Sequence, residues 1–492
     1  EILSINPGTW EYETAKPMHF GNLDGLNHEP DLRKRLRKLY KNNGRAGIFF
    51  RDTTLAILAY CANRIPEISN DLVSVDQSMR WGFGWQLGPF QLWDALGFDT
   101  VLKDMEKAGF TIPNWIYQMT LAGLKSFYSD PETVYQPGQG YVPLTVYADE
   151  LSLRAIATTP QGTVWQNSEA ALLDMGDGVL LYEFRSKANT LSVKVIDGLE
   201  QALDILDKGP FKGMVIGNEG DHFCVGINLG EVGKMVQLDA INPFHKDHKG
   251  IHNLIVKFQT LMQRLHYFHK PIVAATQGRV LGGGCELVMA CPHVVAAAET
   301  YIGLVELGVG LIPAGCGLMR MAEWACDRAA SDAPVDILPF LKRVFETIGM
   351  AKVAMSAEEG MDLGFLPATT KVVMNGDRRL YVAKQDVLWL DQLGYNPPAP
   401  HRTVCVLGEP ARATLNHMAY VMSEGGFISE FDRQLAERLA YVITGGNLSA
   451  PSFVSEDYLL QLEKENFLPL IDEPKTQERI LYMLKTKKPL RN

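Results

Sequence analysis

KPIVAATQGRVLGGGCELVMACPHVVAAAETYIGLVELGVGLIPAGCG, residues 270–317, carries two glutamates, Glu286 and Glu306, twenty residues apart. A β-rich run, Pro271 to Thr276, leads into Gly282-Gly283-Gly284-Cys285. Glu286 follows, then an apolar run, Leu287 to Cys291, stopped by Pro292. The spacing predicts a strand, a tight glycine turn and the start of a helix. Glycines let the backbone turn sharply and approach a ligand closely. The first N–H groups of a helix have no intrahelical acceptor and point outward. That geometry suits an oxygen that is gaining negative charge. A carboxylate one step further suits proton transfer.

Outward from this stretch, 492 residues leave room for roughly three domains of ~150 residues. The net charge of −10, from 47 basic and 57 acidic side chains, argues against a general nucleic-acid binder. No apolar run approaches the ~18 residues needed to span a bilayer. The seven cysteines include no C-x-x-C pair; the odd number points to reduced thiols and a cytoplasmic setting. In such a setting the sequon Asn447-Leu448-Ser449 carries no weight. The opening EILSINPGTW lacks both Met and a signal-peptide pattern, and suggests a piece of a longer protein.

Residues 1–43 are expected to be a connector, with an amphipathic, basic helix over 31–44 carrying Leu32, Leu36 and Leu39 on one face. From 44 to 130 the pattern is helical. Gly82, Gly84 and Gly88 make a G-x-G-x-x-x-G run, one residue too long for a dinucleotide fingerprint and without a preceding strand. Trp81, Phe83, Trp85, Phe90 and Trp93 are expected in the core or at docking positions. Residues 131–177 are turn-rich and read as a linker with a few edge strands. From 178 to 370 strands and helices alternate, with a long helical insert at 230–269. His245, His248 and His252 in that insert have helical spacing, but Lys246 and Lys249 would repel a cation, so no metal is expected. Residues 371–492 read as a helical region without an assignable motif.

Two resemblances extend this reading. Asp76, Met79, Gly82-Phe83-Gly84, Gly88-Pro89-Phe90, Asp94 and Gly97 resemble the C-terminal helical domain of 3-hydroxyacyl-CoA dehydrogenases. That family binds NAD in a separate, preceding domain, and no G-x-G-x-x-G after a strand occurs here. The family's catalytic Asn is also absent: the corresponding run is Gly47-Ile48-Phe49-Phe50-Arg51-Asp52. The resemblance therefore implies no dehydrogenation by this chain alone, and NAD only in a missing domain.

The second resemblance is to the crotonase superfamily of enoyl-CoA hydratases and isomerases. It rests on four blocks in order: Arg185-x-Lys187-Ala188-Asn189-x-Leu191; Phe223-x-x-Gly226-x-Asn228-Leu229; Lys270-Pro271 leading to Gly282-Gly283-Gly284-Cys285-Glu286; and Gly303-x-x-Glu306 followed by Gly310-x-x-Pro313. It implies an α/β fold, a repeated ββα spiral with mainly helical domains before and after. It implies an oxyanion hole from the N–H groups of Ile227 and Gly283, acid/base roles for Glu286 and Glu306, and CoA contacts at Lys187, Ala188 and Asn189. The expected reaction is hydration of trans-2-enoyl-CoA to 3-hydroxyacyl-CoA in fatty-acid β-oxidation. The alternatives are Δ3-Δ2 enoyl-CoA isomerisation and a non-catalytic acyl-CoA binding module. No cofactor is expected in this chain; acyl-CoA thioesters are the expected partners, with assembly as a homo-oligomer or with a thiolase. Three departures stand out: Asn228 for a common Asp, Leu304-Val305 for Gln-Pro, and Ala314-Gly315-Cys316-Gly317 for a glycine-rich run.

Overall fold

The structure, a computed structural model, describes residues 3–14, 19–26, 29, 31–130, 133–144, 149–241, 249–330, 336–400 and 402–492. The chain forms two compact units, residues 1–146 and 147–492.

The first unit begins with an antiparallel pair, β1 (Leu3–Ile5) and β2 (Tyr12–Thr14). Helices α1 (Leu32–Tyr40), α2 (Arg45–Asn63), α3 (Leu72–Phe83), α4 (Pro89–Leu96), α5 (Phe98–Lys107) and α6 (Asn114–Leu121) follow. A three-stranded antiparallel sheet, β3 (Tyr128–Asp130), β4 (Thr133–Gln136) and β5 (Gly140–Pro143), completes it. Its core is aromatic because α4 to α6 each bring a large ring inward. Phe127 lies edge-on to Phe90, Trp93 and Phe98, with centroids 5.0, 5.2 and 5.3 Å away, a favourable quadrupole geometry. Trp81 and Phe83 are exposed instead. Asp76 is buried and ties three elements together. It accepts the N–H groups of Phe90 (2.7 Å) and Gln91 (3.2 Å) and the Tyr128 hydroxyl (2.7 Å). Asp94 likewise accepts the N–H groups of Phe127 and Tyr128. The expected connector 1–43 therefore ends in a helix that belongs to this unit. Asp31 caps α1 by accepting the Lys34 N–H, and Tyr40 is buried with its hydroxyl on Asp104.

The second unit is built on a seven-stranded sheet. Its strands are β6 (Thr163–Gln166), β7 (Ala170–Asp174), β8 (Val179–Phe184), β9 (Gly213–Ile216), β10 (Ile272–Leu281), β11 (His293–Gly303) and β12 (Lys371–Val373), in the order β12-β11-β10-β9-β8-β7-β6. β8 to β12 are parallel; β6 and β7 form an antiparallel extension. Alternate residues enter two cores, as a period of two requires. Leu180, Tyr182, Met214, Ile216, Ile272 and Ala274 join the larger core. It is covered by α8 (Val193–Lys208), α10 (Lys249–His266) and α12 (Gly317–Ala330). Val179, Leu181, Val215, Val273 and Ala275 face the other way, with Leu153 of α7 (Leu153–Thr158) and Leu380, Ala383 and Val387 of a helix at Arg379–Gln392. Burial on both faces explains why the central strands read as continuous apolar runs.

The expected linker at 131–177 is divided between the two units. β4 and β5 lie in the first, while β6 and β7 join the large sheet through backbone pairs that the short AALLD alternation announces only weakly. The expected boundary at 370 also falls inside a packed structure: β12 pairs with β11, and the helix at Arg379–Gln392 covers the sheet. The C-terminal helices at Gly408–Glu424, Glu430–Ile443 and Glu456–Phe467 share the larger core through Leu415, Leu435, Leu439 and Leu459. Of the insert at 230–269, Leu229–Ile241 and α10 are helical; His245 and His248 lie outside the described residues. No described group of His, Cys, Asp and Glu is arranged to hold a metal. No described helix is long and apolar enough to cross a membrane.

Burial pushes the Asp76 carboxyl up to about 7 against its three donors. A raised carboxyl stabilises the fold below its unfolded value and loses that contribution as pH climbs through the folded one. Replacing Asp76 with Ala strands two amides and a hydroxyl, so D76A should cost about 3 kcal/mol. Amide hydrogen exchange at Phe90 and Gln91 in the full chain measures it; unchanged protection would contradict this role.

Candidate functional site

β10 ends by opening a new set of partners. A register shift between Thr276 and Gly278 lets its last residues pair with β11 on one side. On the other side Phe223 and Cys224 donate to the carbonyls of Gln277 and Arg279, and Leu281 donates back to Cys224. This brings the turn at Gly226-Ile227 alongside the glycine turn at Gly282-Gly283. Gly226 (φ +104°) and Gly282 (φ +54°) both need conformations that L side chains rarely adopt. A Cβ on Gly226 would stand 3.9 Å from the Gly283 nitrogen, and one on Gly283 2.9 Å from Ile227 Cγ1. Neither the Ile227 nor the Gly283 N–H has an acceptor among the described residues. Gly283 opens the helix α11 (Gly283–Met289), whose first N–H groups have no partner by construction.

Both glutamates converge on this turn. Glu286 is in the first turn of α11 and buried. Its Oε1 accepts the N–H groups of Gly315 (2.7 Å) and Gly317 (2.9 Å), where α12 begins. Glu306 opens a short 3-10 turn, Glu306–Val309. A Cβ on Gly282 would lie 3.1 Å from Glu306 Oε1, while Oε2 is buried without any hydrogen-bond partner. The Gly282 N–H donates to Gly303, fixing the turn relative to the strand end that carries Glu306. Among the described residues no Lys or Arg forms an ion pair with either glutamate.

Burial pushes the Glu286 carboxyl up, opposed by the two glycine N–H groups that favour its charged form. Glu306 is raised well above the ordinary carboxylate range by burial first and by the Glu286 charge second. The two acids are therefore unequal: one has donors that favour its ionised form, the other has an unpartnered oxygen that favours a proton.

The loop 185–191 feeds into the same turn. Leu191 donates to Gly226 (2.9 Å), and Asn228 donates back to Leu191 (3.1 Å). Lys187 and Ala188 are exposed, and Ala188 and Asn189 both have positive φ. Asn189 Nδ2 donates to the His222 carbonyl at 2.9 Å, fastening the loop to the strand connection before Phe223. The Lys187 side chain forms no ion pair or hydrogen bond among the described residues. Asn228 caps the helix that follows, its Oδ1 accepting from Gly230 and Glu231. Leu304 is fully buried and packs beneath the first turn of α12, so it does not form an exposed wall.

Three residues from the C-terminal helices reach the site, and the sequence reading missed them. Glu463 accepts the N–H groups of Cys316 (2.9 Å) and Met319 (2.7 Å). Thr476 Oγ1 donates to Gly310 (2.6 Å), and Arg479 donates to the Leu307 carbonyl (3.0 Å) and Asp432 (2.8 Å), bracing the turn that carries Glu306. A signal was available for Glu463: Glu456 and Glu463 share the apolar face of Leu459, Leu460 and Leu462 at helical spacing.

Residues 175–335 match the family model described as enoyl-CoA hydratase/isomerase. A relative from Bacillus subtilis named "Probable 3-hydroxyacyl-CoA dehydrogenase" is 37% identical over 493 residues, covering 100% of this chain and 61% of the relative. A relative from Rickettsia felis, named for the trifunctional enzyme of a fatty acid oxidation complex, is 24% identical over 63% of this chain and 37% of its own length. A "Probable enoyl-CoA hydratase" from Bacillus subtilis is 30% identical over 37% of this chain and 62% of its own length. The chain thus spans 61% of the first of these relatives and a smaller part of the second.

Glu286, Glu306 and Glu463 all hold a proton more tightly folded than unfolded; Glu463 is pushed up to about 8 by burial and by Glu286. Their contribution is full below the ordinary Glu value of about 4.3 and is lost as pH rises through the folded values. Calorimetry should show the second unit melting at progressively lower temperature between about pH 5 and 8. Glu286→Gln should flatten that slope; an equal slope in wild type and variant would contradict the assignment.

Proposed function

We propose that the second unit hydrates trans-2-enoyl-CoA thioesters to 3-hydroxyacyl-CoA. The observation that carries this reading is the meeting of two buried, unequal carboxylates with two unpartnered backbone N–H groups. The thioester oxygen would accept the N–H groups of Ile227 and Gly283. Glu286, its carboxylate favoured by Gly315 and Gly317, would draw a proton from water as the oxygen bonds to C3. The electron pair of the C2–C3 double bond moves toward the thioester, whose enolate oxygen the two N–H groups stabilise. Glu306, favoured in its protonated form, would deliver a proton to C2. The sum is one water added across one double bond; proton exchange through water resets the two acids.

Lys187, Ala188 and Asn189 would meet the CoA moiety, since their loop is tied to Gly226 and Asn228. The relatives named for fatty-acid oxidation and 3-hydroxyacyl-CoA dehydrogenation support a place in β-oxidation. In a longer protein of the kind these relatives represent, the hydration product would pass to NAD-dependent oxidation. In the first unit Asp76, Gly88-Pro89-Phe90 and Asp94 serve packing, which is consistent with a retained helical domain whose nucleotide partner lies elsewhere.

The test is a spectrophotometric assay with crotonyl-CoA, following loss of the conjugated thioester. Wild type should turn over, and E286Q and E306Q should each lower kcat by about 10²–10⁴-fold. Gly283→Val, which crowds Ile227, should lower kcat about 10²-fold or more by displacing one oxyanion donor. Turnover of a 3-enoyl-CoA without water addition would replace hydration with isomerisation. Tight thioester binding without consumption of either substrate would leave a binding module.

A further inference from the structure

On the hydration reading above, we propose that Glu463 is a positioning residue for Glu286, holding from behind the turn whose front binds the Glu286 carboxylate. The geometry is a division of one backbone segment between two acids. Gly315 and Gly317 donate to Glu286 Oε1, while Cys316 and Met319 donate to Glu463 Oε2 and Oε1. Four of the five N–H groups from 315 to 319 are thus consumed by two carboxylates from helices far apart in sequence. Glu463 has both oxygens engaged and no exposed surface. Its helix is held in turn by Gln259 of α10, which donates at 2.9 Å to both the Ala314 and Leu460 carbonyls. The two acids therefore cannot move independently: a shift of Glu463 moves 315–319, and with it the donors of Glu286.

Glu463 sits among other acids. The titratable groups that face it are Glu286, Glu306 and the Cys316 thiol. On α12 Arg320 lies one turn beyond Cys316 and is bound to Glu323 and Glu456 instead. α10 presents the uncharged Gln259, and the helix at Glu430–Ile443 contributes apolar Leu435 and Leu439 to the shared core. Their proximity is felt at Glu463, whose carboxyl is pushed up by burial and by the Glu286 charge. The positioning role does not require Glu463 to touch substrate.

The experiment compares full-chain wild type, E463Q and E463D. In E463Q one donor of the turn meets an amide nitrogen. Its kcat should fall about 10–100-fold, with binding of acetoacetyl-CoA, followed by its enolate absorbance, within about threefold of wild type. Loosening the donors that favour the Glu286 carboxylate should move the limb of the kcat/KM profile governed by the base to higher pH. E463D is one methylene short and cannot hold the Cys316 and Met319 N–H groups in the same place, so its kcat should fall and its limb should move in the same direction. Carboxyl 13C NMR, with the Glu286 signal identified by its loss in E286Q, reads the same displacement without turnover. An E463Q protein that binds normally but keeps the wild-type limb and the wild-type Glu286 midpoint overturns the inference. Where E463Q does not fold, wild-type kcat in E463D overturns it. A wild type that hydrates no enoyl-CoA overturns the hydratase reading instead, and the NMR titration still decides whether Glu463 acts on Glu286.

Discussion

The site depends on the burial of carboxylates without cations. Removing an ionised carboxylate from water costs several kcal/mol after relaxation. Each hydrogen bond from a backbone N–H to such a group offsets roughly 1.5–3 kcal/mol. Glu286 and Glu463 have two bonds apiece, all from the 315–319 segment. Glu306 Oε2 has none. The balance is therefore incomplete, and the deficit appears as a raised affinity for protons. A lysine or arginine in the cluster would have closed the deficit and fixed the acids as anions. With none among the described residues, the acids stay nearer to proton exchange, as the proposed addition of water to a double bond would use.

That constraint explains the architecture around it. Backbone N–H groups serve such a cluster without bringing a full charge, and helix starts are where unpaired N–H groups occur. The second unit places two of them together, α11 at Gly283 and α12 at Gly317. The strand-end pairing of 223–224 with β10 adds Ile227 from a third direction. The turn bearing Glu306 starts no long helix, and its rigidity comes from Thr476 and Arg479 behind it. Gly310 allows that approach, since a Cβ there would lie 2.8 Å from Thr476 Cα.

What was legible in the sequence follows from locality. The run 270–317 discloses strand, glycine turn and helix start because each depends on neighbours within a few residues. Glu286 and Glu306 could be singled out because they flank that turn. The aromatic core of the first unit was legible in part: Phe90 and Trp93 are buried as expected, while Trp81 and Phe83 are on the surface. The C-terminal contribution was not legible. The helical spacing marks Glu463 as buried but not what it holds, because its partners are 144 and 147 residues away. β6 and β7 were hard to distinguish from a linker because an edge extension needs few residues and little hydrophobic alternation. Leu304 stood out beside Glu306 as a departure, but a residue type does not reveal which way its side chain points.

The three acids also differ in how far they tolerate change. Glu306 has a free oxygen, so substitution there removes chemistry with little demand on the surrounding backbone. Glu286 and Glu463 each hold two amides, so substitution there also releases buried donors. Their effects should not add, because both act on 315–319 and the segment is either held from both sides or displaced as one. The C-terminal helices are for that reason part of the fold around the candidate site and not an appendage to it. They share its hydrophobic core, and the backbone that orients Glu286 is incomplete without the carboxylate they supply.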